Sequence, residues 1–460
     1  MLTSGQTLAT LSASSIPAIK SSTLRAFREL LLECGYASTD TSEETPSLKI
    51  LRRLFARGQT VKREEVDGVI ESPTVEELTE ASLLEEHDAL MRARFQVQAQ
   101  AGMFFLAEFM KREHAADLVL PIGPSGRHLA NVTIRKKIRS ALDLGCGCGI
   151  QSLLAARHTG LVTATDINPR ALALTKLNAE LNDITNIEIL EGSNFEPVLG
   201  RKFDLIVANL PYVVAPERKY IYRDPDQPGD RSVRSMLLET PEYLNEGGFA
   251  HVMISWIDRE GEPWYALSKE MLRCAHTDSW LNHNASKSAE AYAAMWITTD
   301  AKKEPEKYSK EKDEWTNWYR SQGYRQFGLG LMTLRRRSNG KNWGSAIEVK
   351  KFLSDTLGEE LQQLFENQDD LKNRPDLLSA KFAIRNLEIE PKKQLARTKK
   401  GFLFQTKLSG PTIKVVNELR NGFTLGEALK RVTGSLEVQD LMLAEITQLL
   451  NFGMLKLDTS

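Results

Sequence analysis

Ser140-Ala-Leu-Asp143-Leu-Gly145-Cys146-Gly147-Cys148-Gly149-Ile150 is the stretch that decides the fold of this 460-residue chain. It reads as a short apolar strand ending in an acid, a loop with glycine at every second position, and the start of a helix over Ile150–Arg157. Glycines in such a turn adopt backbone angles closed to other residues and let a ligand approach the chain closely. The helix start presents unpaired amides to an anionic group. Strand, glycine loop and helix in that order make the nucleotide-binding corner of a doubly wound α/β sheet.

The pattern continues on both sides of this corner. Leu161–Asp166, Ile187–Glu191, Phe203–Ala208, Gly248–Ser255 and Phe327–Arg335 read as strands, with helices at Pro169–Asn182 and Ser232–Leu244. Short Val/Ile/Leu-rich strands alternating with helices imply a mainly parallel, Rossmann-like sheet. Its ligand-bearing loops then lie at the strand carboxyl ends. Residues 276–325 read as an elaboration with a surface helix before the last strand.

The flanks read as smaller modules. Residues 1–22 form a flexible Ser/Thr-rich tail. Residues 23–115 form a helical, winged-helix-like domain, with helices at Leu24–Tyr36, Leu48–Phe55, Lys62–Ile70 and Thr74–Leu84 and a linker over 37–47. A ribbon of Leu90–Gln98 against Met103–Phe109 closes it. Thr74 with Glu77 makes a capping box, but Glu76, Glu77 and Glu80 make this helix a poor reader of DNA. The catalytic domain is expected over 116–340. A C-terminal helical, winged-helix-like domain follows over 345–460, with helices at Glu348–Glu366, Thr412–Leu419, Leu425–Val432 and Leu436–Leu450 and a strand at Met454–Leu457. Deleting 345–460 is expected to spare cofactor binding.

Formal net charge is −1, so no overall field advertises a nucleic-acid or membrane partner. No stretch reaches the length of a membrane span. Four cysteines (Cys34, Cys146, Cys148 and Cys274) are no disulfide framework and fit a reducing, cytoplasmic setting. Cys146 and Cys148 alternate with glycine in a tight loop and have no second ligand pair, so no metal is expected.

The candidate cofactor residues are Asp143, Gly145, Cys146, Gly147, Gly149, Asp166, Ile167, Ser193, Asn194 and Asn209. Asp143 is placed to receive an ammonium group through a water. Asp166, with Ile167 beside it, ends the next strand, where an acid accepts from both ribose hydroxyls. Ser193 and Asn194 stand where an adenine ring would lie. The loop is Gly-x-Gly-x-Gly, not the Gly-x-Gly-x-x-Gly of NAD sites, and nothing downstream resembles a hydride-transfer site. The candidate catalytic residues are Asn209, Leu210, Pro211 and Tyr212. The lone pair of a planar amide or aromatic amine is delocalised. The Asn209 side-chain oxygen and the Leu210 carbonyl can each accept one of its N–H groups and turn that lone pair toward an electrophile. Tyr212 can stack on the substrate plane, and Pro211 stiffens the turn.

With these residues in view, the chain resembles the class I S-adenosylmethionine-dependent methyltransferases, and among them the release-factor glutamine N5-methyltransferase-like group. The resemblance covers roughly residues 118–256 and runs through Asp143-Leu-Gly-Cys-Gly-Cys-Gly, Ala164-Thr-Asp-Ile-Asn-Pro-Arg-Ala-Leu, Lys176-Leu-Asn-Ala, Glu191-Gly-Ser-Asn-Phe and Asn209-Leu-Pro-Tyr-Val. Gly123-Pro-Ser-Gly-Arg-His-Leu-Ala, Gln151-Ser-Leu-Leu-Ala-Ala-Arg-His, Tyr222-Arg-Asp and Gly328-Leu-Gly-Leu-Met-Thr-Leu-Arg-Arg resemble a long bacterial branch of that group with extensions at both ends. It implies S-adenosylmethionine as cofactor and N-methylation of a protein glutamine. Leu210 replaces the group's usual proline but contributes only its carbonyl, and Ser193 stands where an acid is common.

Asn-Leu-Pro-Tyr also resembles the motif of rRNA adenine dimethyltransferases. The substrate classes are therefore a glutamine in a protein of the translation apparatus, or adenine or guanine in RNA, and less so in DNA. A non-catalytic cofactor-binding module is the third reading. For RNA, the candidate phosphate contacts are Arg335, Arg336, Arg337 and Lys341, and Lys392, Lys393, Arg397, Lys399 and Lys400. Trp315, Trp318 and Tyr319 are either base-stacking rings or, at their helical spacing, core residues.

Overall fold

The computed structural model describes residues 16–38, 44–71, 73–110, 116–259, 261–339, 341–349, 357–373 and 376–458. Most of the expected tail, part of the 37–47 linker and residues 350–356 of the helix expected over Glu348–Glu366 lie outside them. At the centre is an eight-stranded sheet: β1 (Ile138–Leu144), β2 (Thr159–Asp166), β3 (Ile187–Glu191), β4 (Phe203–Ala208), β5 (Leu244–Asp258), β6 (Thr277–Ser288), β7 (Gln326–Arg336) and β8 (Gly344–Glu348). Their order is β8-β6-β7-β5-β4-β1-β2-β3, and β7 runs antiparallel to both β5 and β6. Around it lie α1 (Pro124–Val132), α2 (Ile150–Ala156), α3 (Pro169–Leu181) and α4 (Arg231–Glu239).

Local chemistry sets these boundaries. The Asn168 side chain accepts from the Arg170 amide and Pro169 takes the first helical position, so α3 starts where the chain leaves β2. Pro241 ends the helix expected over Ser232–Leu244 early; α4 stops at Glu239, a 3₁₀ turn spans Thr240–Tyr243, and β5 begins at Leu244. β5 therefore runs through Asp258, with a register shift between Leu244 and Phe249.

The N-terminal ribbon is a correction. Leu90–Gln98 is two strands, not one. Leu90–Ala93 pairs with Leu84–His87 and with Val61–Lys62, whereas Phe95–Gln100 pairs with Met103–Glu108. The break falls at Arg94, whose amide turns back to the Leu83 carbonyl. The first hairpin turns at Asp88 and Ala89, both at positive φ, and the second at Ala101 and Gly102. The expected helices there are also shorter, at Arg63–Asp67 and Val75–Glu80, the latter closed by the Thr74–Glu77 capping box.

This module docks on α3 through two asparagines. Asn178 accepts from the Leu106 amide at 2.7 Å and donates to its carbonyl at 2.9 Å; Asn182 treats Phe104 the same way, at 3.0 and 2.7 Å. Each side chain thus stands in for a neighbouring strand and satisfies buried backbone groups.

The C-terminal region is less separate than expected. The boundary at 345 falls inside β8, which pairs with β6. Helix Gly358–Asn373 packs beneath the sheet, with Phe365 against Phe249 at 5.2 Å and against Trp343 at 4.8 Å. Leu361, Phe402, Leu429 and Leu455 share one apolar core with Ala141, Leu205 and Val207 of β1 and β4. Removing 345–460 would uncover that face. Among the described residues no helix is long and apolar enough to cross a membrane.

Candidate functional site

The register aligns four strand ends. Leu144 of β1 pairs with Thr165 of β2 and with Ala208 of β4, and Asp166 pairs with Glu191 of β3. The glycine loop, Asp166, the Ser193–Asn194 turn and Asn209 therefore follow adjacent strands out of the same edge.

Gly145, Gly147 and Gly149 all have positive φ, at 70°, 56° and 82°. A β-carbon on Gly145 would stand 2.6 Å from Leu210 Cδ2, so the loop and the turn after β4 touch only because this residue has no side chain. Thr175 of α3 secures the loop, donating to the Gly147 carbonyl at 3.0 Å and meeting Cys146 Sγ at 3.3 Å. Burial pushes the Cys146 thiol well above its ordinary range and the Cys148 thiol up to about 11. Both are packed thiols. Among the described residues no group of three or more His, Cys, Asp or Glu could hold a metal ion.

Asp143 is buried, and its Oδ2 accepts from the Ser152 amide at 2.9 Å and hydroxyl at 2.5 Å. Burial pushes its carboxyl up to about 7; the Ser152 hydrogen bonds oppose this and the nearby Asp166 charge adds to it. Asp166 Oδ2 accepts from the Gly147 amide at 3.0 Å and Oδ1 from the Asn168 amide at 2.9 Å, with a further amide from Ile167. Burial raises its carboxyl against those amides. Neither acid has a cationic partner among the described residues. Two neighbouring carboxyls with no compensating charge suit a cationic ligand. Ser193 and Asn194 sit beside them, because the Gly192 amide bonds the Asp166 carbonyl at 3.1 Å; their side chains bond each other at 3.3 Å.

Asn209 donates Nδ2 to Ser125 Oγ at 3.2 Å, while Oδ1 is buried with no hydrogen-bond partner. Burial raises the Tyr212 phenol and the neighbouring Ser125 hydroxyl works against that, while Trp296 braces the ring edge-on at 6.0 Å. The chain beyond is anchored from the elaboration. Val214 receives the Tyr319 hydroxyl on its carbonyl at 2.7 Å and gives its amide to the Tyr292 hydroxyl at 3.2 Å. Arg223 pairs with Asp224 at 2.5 Å and bonds the Trp296 carbonyl at 2.9 Å.

Sequence reasoning missed Ser125, Ser152 and Thr175 as supports. Ser125 and Ser152 lie in the Gly123 and Gln151 segments, and Arg223 and Asp224 in the Tyr222 segment, where the sequence carries a family likeness but no local sign of their role. Of the two roles open to Trp315, Trp318 and Tyr319, Tyr319 takes the core one, fully buried with Tyr292 and Phe327, and the two tryptophans pack partly buried against it. The Arg335–Arg337 run is not a phosphate patch. Arg335 is buried and bonds Asp278 and Asp369, Arg337 bonds Asp278, and Arg336 faces Glu242. In the second run, Lys393, Arg397 and Lys400 pair with Glu390, Glu388 and Glu360. Lys341, Lys392 and Lys399 are the members with no ion pair described.

Residues 125–254 match the family model of the methyltransferase small domain. The chain is 34% identical over 133 residues to a protein of Methanocaldococcus jannaschii provisionally named a protein N5-glutamine methyltransferase, covering 27% of this chain and 66% of that one. It is 34% identical over 145 residues to the release factor glutamine methyltransferase of Geobacter sulfurreducens (27% and 51%). It is 43% identical over 72 residues to a ribosomal protein L11 methyltransferase of Clostridium botulinum (15% and 23%). In each case the match spans less than two thirds of the relative's length.

Proposed function

We propose, for a chain whose residues 125–254 carry a methyltransferase small domain, that it methylates a planar nitrogen with S-adenosylmethionine, the acceptor being a glutamine side chain in a protein of the translation apparatus. The observation that carries this reading is Asn209 Oδ1, a buried acceptor left without a donor beside the glycine loop. Such an atom costs about 1–3 kcal/mol unless a ligand supplies the missing N–H.

The residues present suit the cofactor. Gly145, Gly147 and Gly149 form a side-chain-free cradle at the start of α2, and Asp143 and Asp166 lack a compensating cation. Three amides occupy three of the four lone pairs of Asp166 and leave one for a ribose hydroxyl, and Asp143 offers a charge that an ammonium group offsets. When bound, S-adenosylmethionine supplies an electrophilic methyl carbon on a sulfonium.

The chain itself supplies alignment. Asn209 Oδ1 and the Leu210 carbonyl hold the two N–H bonds of the acceptor and turn its lone pair out of the amide plane. Tyr212, braced by Trp296, walls the acceptor's face. Orientation and pre-organised dipoles then carry the rate, with no strong base required. The names of the relatives support a protein acceptor. So does the internal pairing of Arg335, Arg336 and Arg337, which leaves RNA phosphates fewer contacts.

The test is methyl-labelled S-adenosylmethionine incubated with an extract of cells lacking the enzyme, beside Asn209→Ala. Label that protease removes and nuclease leaves supports the glutamine reading. Label lost to nuclease alone replaces it with base methylation. No label above that of Asn209→Ala rejects turnover.

A further inference from the structure

We propose that Ser125 is a positioning residue that decides which end of the Asn209 amide faces the acceptor nitrogen; this rests on the reading of Asn209 given above. The two ends of an asparagine amide have nearly the same shape and opposite hydrogen-bonding character. Only the oxygen can hold an acceptor N–H, so a clamp with the amide reversed presents N–H to N–H and repels its substrate. Something in the fold must break that symmetry.

Ser125 does so by being shared. Its Oγ lies 3.2 Å from Asn209 Nδ2 and within reach of the Tyr212 hydroxyl, against whose burial it works. A serine hydroxyl has one proton and two lone pairs. With that proton given to the Tyr212 oxygen, Ser125 shows Asn209 only lone pairs, which the NH₂ end alone can meet. Oδ1 is left as the free end, buried and without a partner. If Ser125 gave its proton to Asn209 instead, Oδ1 would be consumed and the clamp reversed. Ser125 is well placed to hold still: it lies in the first turn of α1, between Pro124 and Gly126, and Gln151 of α2 bonds the Gly126 carbonyl at 2.8 Å.

The test compares Ser125→Ala, Ser125→Thr and Asn209→Ala, and repeats Ser125→Ala in an Asn209→Asp background. The readouts are saturating and half-saturating rates of protease-sensitive label transfer into the extract, and S-adenosylhomocysteine affinity by calorimetry. Ser125→Ala should lower the saturating rate about tenfold, the worth of one directing hydrogen bond. The ligand affinity and the extract concentration giving half-maximal rate should stay put, and Ser125→Thr should restore the rate. A carboxylate has two equal oxygens and nothing to orient, so Ser125→Ala should cost nothing further beside Asn209→Asp. The proposal is overturned if Ser125→Ala runs at the parental rate, if Thr fails to restore it, or if the loss is the same beside Asn209→Asp. Ligand affinity falling in step with the rate overturns it too, as a merely structural role. Where Asn209→Asp is too slow to read, the Thr rescue decides. Asn209→Ala at the parental rate would instead sink the clamp reading, and this inference with it.

Discussion

Titrating Asp143 is the most informative perturbation, because it is buried without a cation and its carboxyl is pushed up to about 7 from an ordinary 3.8. The free protein therefore keeps a proton there that an unfolded chain gives up some three pH units lower. The sign is opposite to that of a salt-bridged acid. Stability falls as pH rises from 3.8 toward 7 and is level above, a loss on the order of 4 kcal/mol. A ligand ammonium favours the ionised carboxylate and must expel the proton below pH 7. Affinity for S-adenosylhomocysteine, which keeps the ammonium and the ribose, should then rise up to tenfold per pH unit below 7 and level off above. Between pH 5.5 and 8 that amounts to about thirtyfold.

Calorimetry in two buffers of different ionisation enthalpy checks this directly, since close to one proton should leave at pH 6 and none at pH 8. Asp143→Asn should flatten the profile, weaken binding at pH 8 and raise the melting temperature of the free protein there. A flat affinity from pH 5.5 to 8 with no proton released would refute the assignment. A slope that persists in Asp143→Asn and vanishes in Asp166→Asn would move the proton to Asp166.

Gly145→Ala combines a positive-φ cost of about 1–2 kcal/mol with a clash against Leu210, and should weaken both ligand affinity and methyl transfer; Leu210→Ala should recover the clash but not the backbone cost, read as a double-mutant cycle. Asp278 is buried; burial works against its charge, but the bonds from Arg337 and Arg335 hold it below the usual carboxylate range. Asp278→Asn should cost about 3–5 kcal/mol near neutral pH by denaturant titration, because two guanidinium groups lose their shared anion. That gap should narrow once pH falls below the ordinary aspartate value of about 4, where the unfolded parent takes up a proton that the folded Asp278 still refuses. Asn178→Ala frees the Leu106 amide and carbonyl together with the Cys148 carbonyl, so hydrogen exchange at Leu106 should rise while Phe104, held by Asn182, changes less.

What could be read from the sequence and what could not divide by distance along the chain. The glycine loop, Asp166 and Asn209 were legible because each closes a strand whose apolar run ends beside it. Asn168 with Pro169, and Thr74 with Glu77, were legible because a cap is completed within three residues. The two N-terminal hairpins defeated local reading. Leu90–Gln98 alternates without interruption across Arg94, and Asp88-Ala89 turns with no glycine to announce it. Charge runs failed for a different reason: Arg335–Arg337 looks solvated until Asp278, 57 residues before Arg335, supplies the anion.

The same distance separates the chemistry from its target. The proposed clamp role of Asn209 is suggested by its own motif, but its amide bonds Ser125, 84 residues upstream. Asn178 likewise reads as an ordinary α3 residue. In the fold it bonds Leu106 of the N-terminal module and the Cys148 carbonyl of the glycine loop at once. One buried amide thus ties a flanking module to the cofactor cradle.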